Sequence, residues 1–437
     1  MHLPRPISEQ LSPLFQGIAQ RTSGHLDRDP GQAVQRVVIR QAFAYLRRHY
    51  PILVLPRFAV VTRYDDVKDV LARDEDFGVT EVYAERMERT SGPFILGMER
   101  TARYEREAAW LRGAVHDDDV ARVRHLTRGY VADALEAARR VSRGDVVEID
   151  LVARLTRRIP VLLIRDYFGV PVADEAQMMR WMRATFWELF LNLTNDRGVR
   201  RAAEEAAAEL NPYLEQVIAA RAQELADGDD RDDFLSRLIR TRASFGETPF
   251  SDFDVRRNLA GVIIGAVDTL NKAGAQLVAE LLRRPEQLAA AQRAARADDL
   301  DLVSRYAFEA LRYDPLNPIL LRVCRRDTFL APGTPREASI AAGTTVCVAT
   351  QSAMFDPERF ERPEEFRVDR PYESYLLFGD GQHRCFGEAF NRVILPELLL
   401  ALLRLPQLRR PRGRRGMMTF EGPFPDRFLL EFEHALS

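Results

Sequence analysis

The sequence predicts a mainly α protein with a smaller β-rich part, an α+β fold, and three observations predict it. Apolar residues recur at helical spacing from Tyr104 to about Ala295. Inside that region one apolar pattern runs from Ser251 to Pro285, roughly 33 residues or about 50 Å at 1.5 Å per residue. Only a large globule needs so long a helix through its middle. Strand-type runs are confined to two places, roughly residues 50–62 and 318–350.

The elements follow in order. Residues 31–50 read as a helix. Ile52 to Leu55 and Phe58 to Val61 read as a strand pair around Pro56 and Arg57, and Asp65 to Leu71 as a short helix. Residues 77–98 show no regular pattern. The helical region should break at Pro171, near Asn195 and at Gly228-Asp229-Asp230. Ser251 and Asp254 are spaced as a capping box at the start of the long helix. Short strands are expected at Leu320 to Cys324, Ala338 to Ile340 and Thr345 to Thr350. The last helix should run from about Glu388 to Leu405, with Pro396 kinking it or shifting its start. No linker, low-complexity tract or repeat divides the chain, so residues 1–437 are expected to form one domain.

Hydrophobic residues make up 46% of the chain, enough for a large core. The formal net charge of -2 argues against a dedicated nucleic-acid binder. Cys324, Cys347 and Cys385 are too few and too scattered for a disulfide framework or a zinc site. They fit a reducing cytoplasm. Met1-His2-Leu3-Pro4-Arg5-Pro6 contains no long apolar run, so neither a signal peptide nor a membrane anchor is expected. The expected form is a cytoplasmic monomer.

The chemistry centres on Phe378-Gly379-Asp380-Gly381-Gln382-His383-Arg384-Cys385-Phe386-Gly387, which leads into the last helix. Glycines let a backbone take positive φ and approach a flat ligand closely. Loop and helix N–H groups aimed at Cys385 should favour a thiolate. A thiolate is one of the axial ligands that hold haem iron. Taken alone, a cysteine in a turn is more often a small buried hydrophobe. The spacing of Gly, His and Cys changes that balance. The stretch resembles the haem-ligand signature of the cytochrome P450 superfamily at every defining position, with Phe378, His383, Cys385 and Gly387 in the matching places.

Three further segments carry the resemblance. Gly265-Ala266-Val267-Asp268-Thr269 is similar to the family's oxygen-activating Ala-Gly-x-(Asp/Glu)-Thr. The resemblance implies that small residues leave room for dioxygen, that the Thr269 hydroxyl donates a hydrogen bond and that Asp268 relays protons. The Gly-Ala order is reversed here, Leu270 replaces a second threonine, and Lys272 stands one turn after Asp268, where it could pair with it. Glu309-Ala310-Leu311-Arg312 resembles the family's Glu-x-x-Arg, though a bare pair at that spacing is usually a solvated contact. Pro363-Glu364-Glu365-Phe366-Arg367-Val368-Asp369-Arg370 matches the segment that adds a third member, Arg370. These three residues are expected to lock the scaffold behind the cysteine loop.

The resemblance implies a soluble, bacterial-type, stand-alone haem domain binding haem b, iron protoporphyrin IX, with Cys385 on the metal. Buried propionates need cationic or hydrogen-bonding partners. His383 and Arg322 match such positions, and Trp110 or Arg112 would supply a third. Trp110 has core packing as its simpler explanation and Arg112 a solvated helix face. The implied substrate pocket is apolar: Phe94, Ile95, Ile263, Ala266, Val267, Ile319, Leu320 and Phe420, roofed by residues 178–190. The expected activity is a monooxygenase acting on a hydrophobic small molecule with O2. No flavin or iron–sulfur motif is visible, so a separate ferredoxin- or flavodoxin-type protein is expected to supply electrons. Arg392 is expected near that donor's face, and the arginines between 409 and 415 on a solvated surface. A peroxide-using or hydroperoxide-rearranging enzyme is the alternative, against which the Asp268-Thr269 pair counts. A non-catalytic haem-binding or partner domain is the remaining reading.

Overall fold

The computed structural model describes residues 29–434, with side chains from residue 38 onward. The amino-terminal hexapeptide discussed above lies outside them. The described chain gathers into two compact units. Residues 78–123 and 160–268 form one, and residues 29–77, 124–159 and 269–434 the other.

The first unit is helical. Its largest elements are Ala102–Gly113, Glu175–Phe186, Arg197–Ala226 and Asp252–Ile264. The last of these starts as expected. The Ser251 side chain accepts from the Asp254 N–H, and Asp254 returns the bond to the Ser251 backbone. One turn on, the fully buried Arg257 forks onto Glu107 (Nη1 to Oε2, 2.8 Å) and onto Asp254 Oδ1 at 2.7 Å. Asn258 adds a bond to Glu107 at 3.0 Å. This cluster welds helix Ala102–Gly113 to the central helix. Next along, Gly261 has to be glycine: a Cβ there would lie 2.4 Å from the Phe94 ring.

The second unit holds the sheets. Ile52–Leu55, Phe58–Val61, Thr345–Val348 and Leu320–Cys324 lie side by side in that order, with the two-residue strand at Phe77 on the far edge. Phe58–Val61 runs parallel to Thr345–Val348, with Val60 opposite Cys347. Leu320–Cys324 runs antiparallel, with Leu321 opposite Cys347. Helices Leu300–Tyr313 and Glu388–Leu403 pack in the same unit, the latter running on through Pro396. A hairpin of Thr419–Glu421 and Phe424–Arg427 follows near the carboxyl end.

Three sequence expectations need correction. Residues 77–98 are not irregular throughout, since Thr80–Arg89 is a helix. Its local pattern is weak because it is held from outside: buried Arg86 donates to the carbonyls of Glu188 (3.0 Å) and Asn192 (2.9 Å). The helical region contains a strand, Val146–Asp150, paired antiparallel with Leu429–Glu433. A partner so far along the chain leaves no mark on local periodicity. The long helix is interrupted and resumes as Val267–Leu282. At the break Ala266 N–H bonds to the Ile263 carbonyl at 3.1 Å, a tighter turn than α. Glycine at 265 lowers the cost of leaving the α-helix. The expected breaks near Pro171, Asn195 and Gly228 are present, Asn195 and Gly228 both with positive φ.

Burial alone would raise the Glu107 carboxyl, but the Arg257 guanidinium outweighs it and holds the carboxyl below its ordinary value of 4.5. A group held down in the folded state stabilises fully above its unfolded pKa and loses that contribution as the pH falls through its folded value. Arg257→Met should cost about 3–5 kcal/mol by urea unfolding at neutral pH, because Glu107 then stays buried without its cation. The decline in wild-type stability below pH 4.5 should weaken in that variant.

Candidate active site

The cysteine loop is built on two glycines. Gly379 and Gly381 have φ of 72° and 70°, the left-handed region that side chains disfavour. Gly381 is also pressed onto the end of helix Tyr64–Ala72: a Cβ there would sit 2.1 Å from the Leu71 carbonyl oxygen. A 3-10 turn, Gly381–His383, then swings the chain back. The Cys385 N–H donates to the Phe378 carbonyl at 2.9 Å, and the Glu388 N–H donates to the Cys385 carbonyl at 3.3 Å. The loop is thereby closed by its own backbone before helix Glu388–Leu403 begins.

Cys385 differs from the other two cysteines. Cys324 and Cys347 are buried, whereas Cys385 keeps accessible surface. Neighbouring atoms nevertheless desolvate the thiol. That desolvation pushes its thiol up to about 11, while the Gly387 N–H acts in the opposite direction. The Gly387 N–H is thus one donor that acts in the direction the sequence suggests. The positive charge of a bound metal would act in the same direction as that donor.

The central helix is open along one stripe. Val262, Gly265, Ala266 and Thr269 are half-buried, while Ile263, Ile264, Val267, Asp268 and Leu270 are buried. The open positions recur at i, i+3, i+4 and i+7, so they share one face. Two expected pocket residues are therefore misplaced. Ile263 and Val267 are fully buried on another face, and Val262, which was not singled out, lies on the open one. The spacing of Gly265, Ala266 and Thr269, continued one turn back, points to Val262. Ile95, Ile319, Leu320 and Phe420 are half-buried, and Phe94 is buried against Gly261.

Asp268 is completely buried, and Arg183 from helix Glu175–Phe186 is bound to it. Nη2 and Nε lie 3.2 and 3.3 Å from Oδ1. Sequence reasoning offered only Lys272 as a partner for this carboxylate. Arg183 stands 85 positions away, and no local signal connects the two.

Glu309, Arg312 and Arg370 come together. Arg312 donates to both Glu309 oxygens at 2.7 and 2.9 Å, and both side chains are fully buried. Arg370 Nε is 3.5 Å from Oε1. The cluster is larger than the motif, because Tyr375 OH and the Arg367 N–H also donate to Glu309, each at 2.9 Å. Arg312 spends its remaining N–H groups on the carbonyls of Met354, Pro363 and Glu365. Such saturation is what makes a buried ion cluster tolerable.

Arg322 is buried on its strand and His383 is half-buried in the loop turn. Trp110 is not available as a donor. Its indole N–H bonds to the Leu238 carbonyl at 3.2 Å, and its ring stacks on Phe250 with centroids 4.1 Å apart. Core packing is its role. Arg112 is exposed in the last turn of the same helix. Arg392 lies over the Tyr372 ring at 4.0 Å. Within the basic run, Arg409 pairs with Glu431 and Glu433, and Arg415 with Glu148.

The family description Cytochrome P450 matches residues 52–424. Mycinamicin IV hydroxylase/epoxidase of Micromonospora griseorubida is 27% identical over 80% of this chain and 82% of its own length. Biflaviolin synthase CYP158A1 of Streptomyces coelicolor is 27% identical over 80% of each chain. Among solved structures, CalO2 superposes with a TM-score of 0.75 at 23% identity, covering 93% of this chain and 98% of its own. CYP105P1 in complex with filipin I superposes with a TM-score of 0.74 at 25% identity, covering 91% and 96%. The fold is that of a haem oxidoreductase class, and this chain belongs to the cytochrome P450 family. It is a P450 monooxygenase whose cofactor is haem, iron protoporphyrin IX. Among the described residues no helix is long and apolar enough to cross a membrane.

The residues present fit that cofactor. The accessible sulfur stands on a glycine-built loop, and the central helix leaves a stripe of small residues open. Gly381→Ala tests the loop. The added methyl meets the Leu71 carbonyl and strains a positive φ, so haem retention, read as the Soret-to-280 nm absorbance ratio, should fall several-fold. Unchanged retention would show that the loop tolerates the displacement.

Proposed function

We propose that this protein inserts one atom of dioxygen into a hydrophobic small molecule. A separate ferredoxin- or flavodoxin-type donor supplies two electrons. With two protons, the second oxygen atom leaves as water, so substrate, O2, two electrons and two protons balance hydroxylated product and water. The observation that carries this reading is the open stripe ending on Thr269, next to a buried carboxylate in the same helix. A cytoplasmic setting agrees with three unpaired cysteines.

Cys385 would hold the iron, and His383 with Arg322 would face the propionates. When bound, the haem supplies the redox chemistry that activates dioxygen. The chain's own residues govern protons and access. Thr269 Oγ1 would donate a hydrogen bond into the open stripe. Asp268 would carry protons to it through water, and Arg183 pairs with that carboxylate and turns it towards helix Glu175–Phe186. Proton relay then requires this ion pair to loosen. Ile319, Leu320 and Phe420, all in the second unit, would offer the ligand an apolar surface, which favours hydrophobic molecules. Glu309, Arg312 and Arg370 would act as scaffold and take no part in the chemistry.

Two variants test the reading. Cys385→Ser should abolish the thiolate-type spectrum of the reduced CO complex; a variant that retains it would remove Cys385 as ligand. Thr269→Ala should raise hydrogen peroxide released per reductant consumed several-fold. Unchanged coupling would remove Thr269 from proton handling.

A further inference from the structure

Asn271 is fully buried, two residues beyond Thr269, and both ends of its amide are engaged. Its Oδ1 accepts from the Thr156 hydroxyl at 2.8 Å, and its Nδ2 donates to the Pro425 carbonyl at 2.9 Å. Thr156 ends the π-turn Val152–Thr156, and Pro425 belongs to the carboxyl-terminal hairpin. In that hairpin Pro425 is the cross-strand partner of Phe420, next to an irregularity in the register before Arg427. A weakly determined two-stranded ribbon needs such an external fastening. Gly274, on the same helix face as Asn271, completes the seat: a Cβ there would lie 2.7 Å from Thr156 Cγ2.

At 100° per residue, Asn271 points about 200° away from Thr269. Fastening the back of helix Val267–Leu282 therefore fixes the rotation that turns Thr269 outward, and the same amide holds the strand opposite Phe420. We propose that Asn271 is a positioning residue that ties the carboxyl-terminal hairpin to the central helix and so determines which apolar molecules the protein accepts. The selectivity half rests on Phe420 bordering the substrate, as proposed above; the fastening does not.

Loss of one buried hydrogen bond corresponds to about a fivefold change in an equilibrium constant. The test uses the haem-loaded full chain with imidazole and 4-phenylimidazole as probes, read by the Soret shift. Asn271→Leu removes both bonds. Asn271→Asp keeps the shape and the Thr156 bond but sets a carboxylate against the Pro425 carbonyl. Both variants should change the ratio of the two dissociation constants about fivefold, with the smaller probe little affected. Amide exchange across residues 419–427 should quicken about tenfold. Gln276→Leu is the control, because Gln276 lies on the same helix and bonds to Asp314 at 3.1 Å, away from the hairpin.

An unchanged ratio in Asn271→Asp, or an equal change in Gln276→Leu, overturns the assignment of selectivity to Asn271. Unchanged exchange at 419–427 overturns the fastening itself. If Asn271→Leu does not accumulate folded, the isosteric Asn271→Asp decides both points. Wild-type protein that shows no Soret response to imidazole would instead defeat the proposed function, and the exchange measurement would still decide the fastening.

Discussion

The buried Glu309 carboxylate is the constraint on which the cysteine side of the molecule depends. It gathers Arg312, Tyr375, the Arg367 N–H and Arg370 from a helix and from the irregular segment before the loop. An unpaired carboxylate at that depth would cost several kcal/mol, so these segments are fastened together or the region does not form. Next to the cluster, Phe308 stands edge-on to Tyr372 and Phe378, 4.9 and 6.2 Å between centroids. Phe378 accepts the N–H of Cys385. A chain of contacts thus leads from the ion cluster to the backbone of Cys385.

The central helix faces the opposite demand. It has to be rigid yet leave one face open. Large buried clusters meet the first need: Arg257 with Glu107 and Asp254 in the first unit, Asn271 with Thr156 and Pro425 in the second. Small residues meet the other, because Gly265 and Ala266 offer little side chain to fill the stripe. The tight turn at Ala266 separates the two stretches of helix. Asp268 is then buried beside the stripe and paired with Arg183, at a place where an unpaired charge would be prohibitive.

The errors of sequence reading have two causes, helical phase and contacts between distant segments. Ile263 and Val267 were placed in the pocket as apolar residues of the helix that the resemblance puts over the haem, but one residue of helical phase separates a lining position from a core position. Trp110 carries a donor, yet Leu238 takes it from another helix. The strand at 146–150 depends on residues 429–433, and the Asp268 partner lies 85 residues away. The last three misses concern contacts between segments that are distant along the chain, where periodicity and local spacing carry no information.

What the sequence determined by itself was whatever is local or tightly spaced. The glycines of the 378–387 loop, the capping box at Ser251, the strand pair at 52–61 and the Glu309–Arg312 spacing are all readable because backbone conformation and neighbouring side chains produce them directly. Tertiary structure alone decided which face of the central helix stays open, that Cys385 keeps accessible surface while Cys324 and Cys347 do not, and that Arg183 and Asn271 hold the residues around Thr269. These depend on desolvation and on side chains meeting across space, and both exist only once the core has closed.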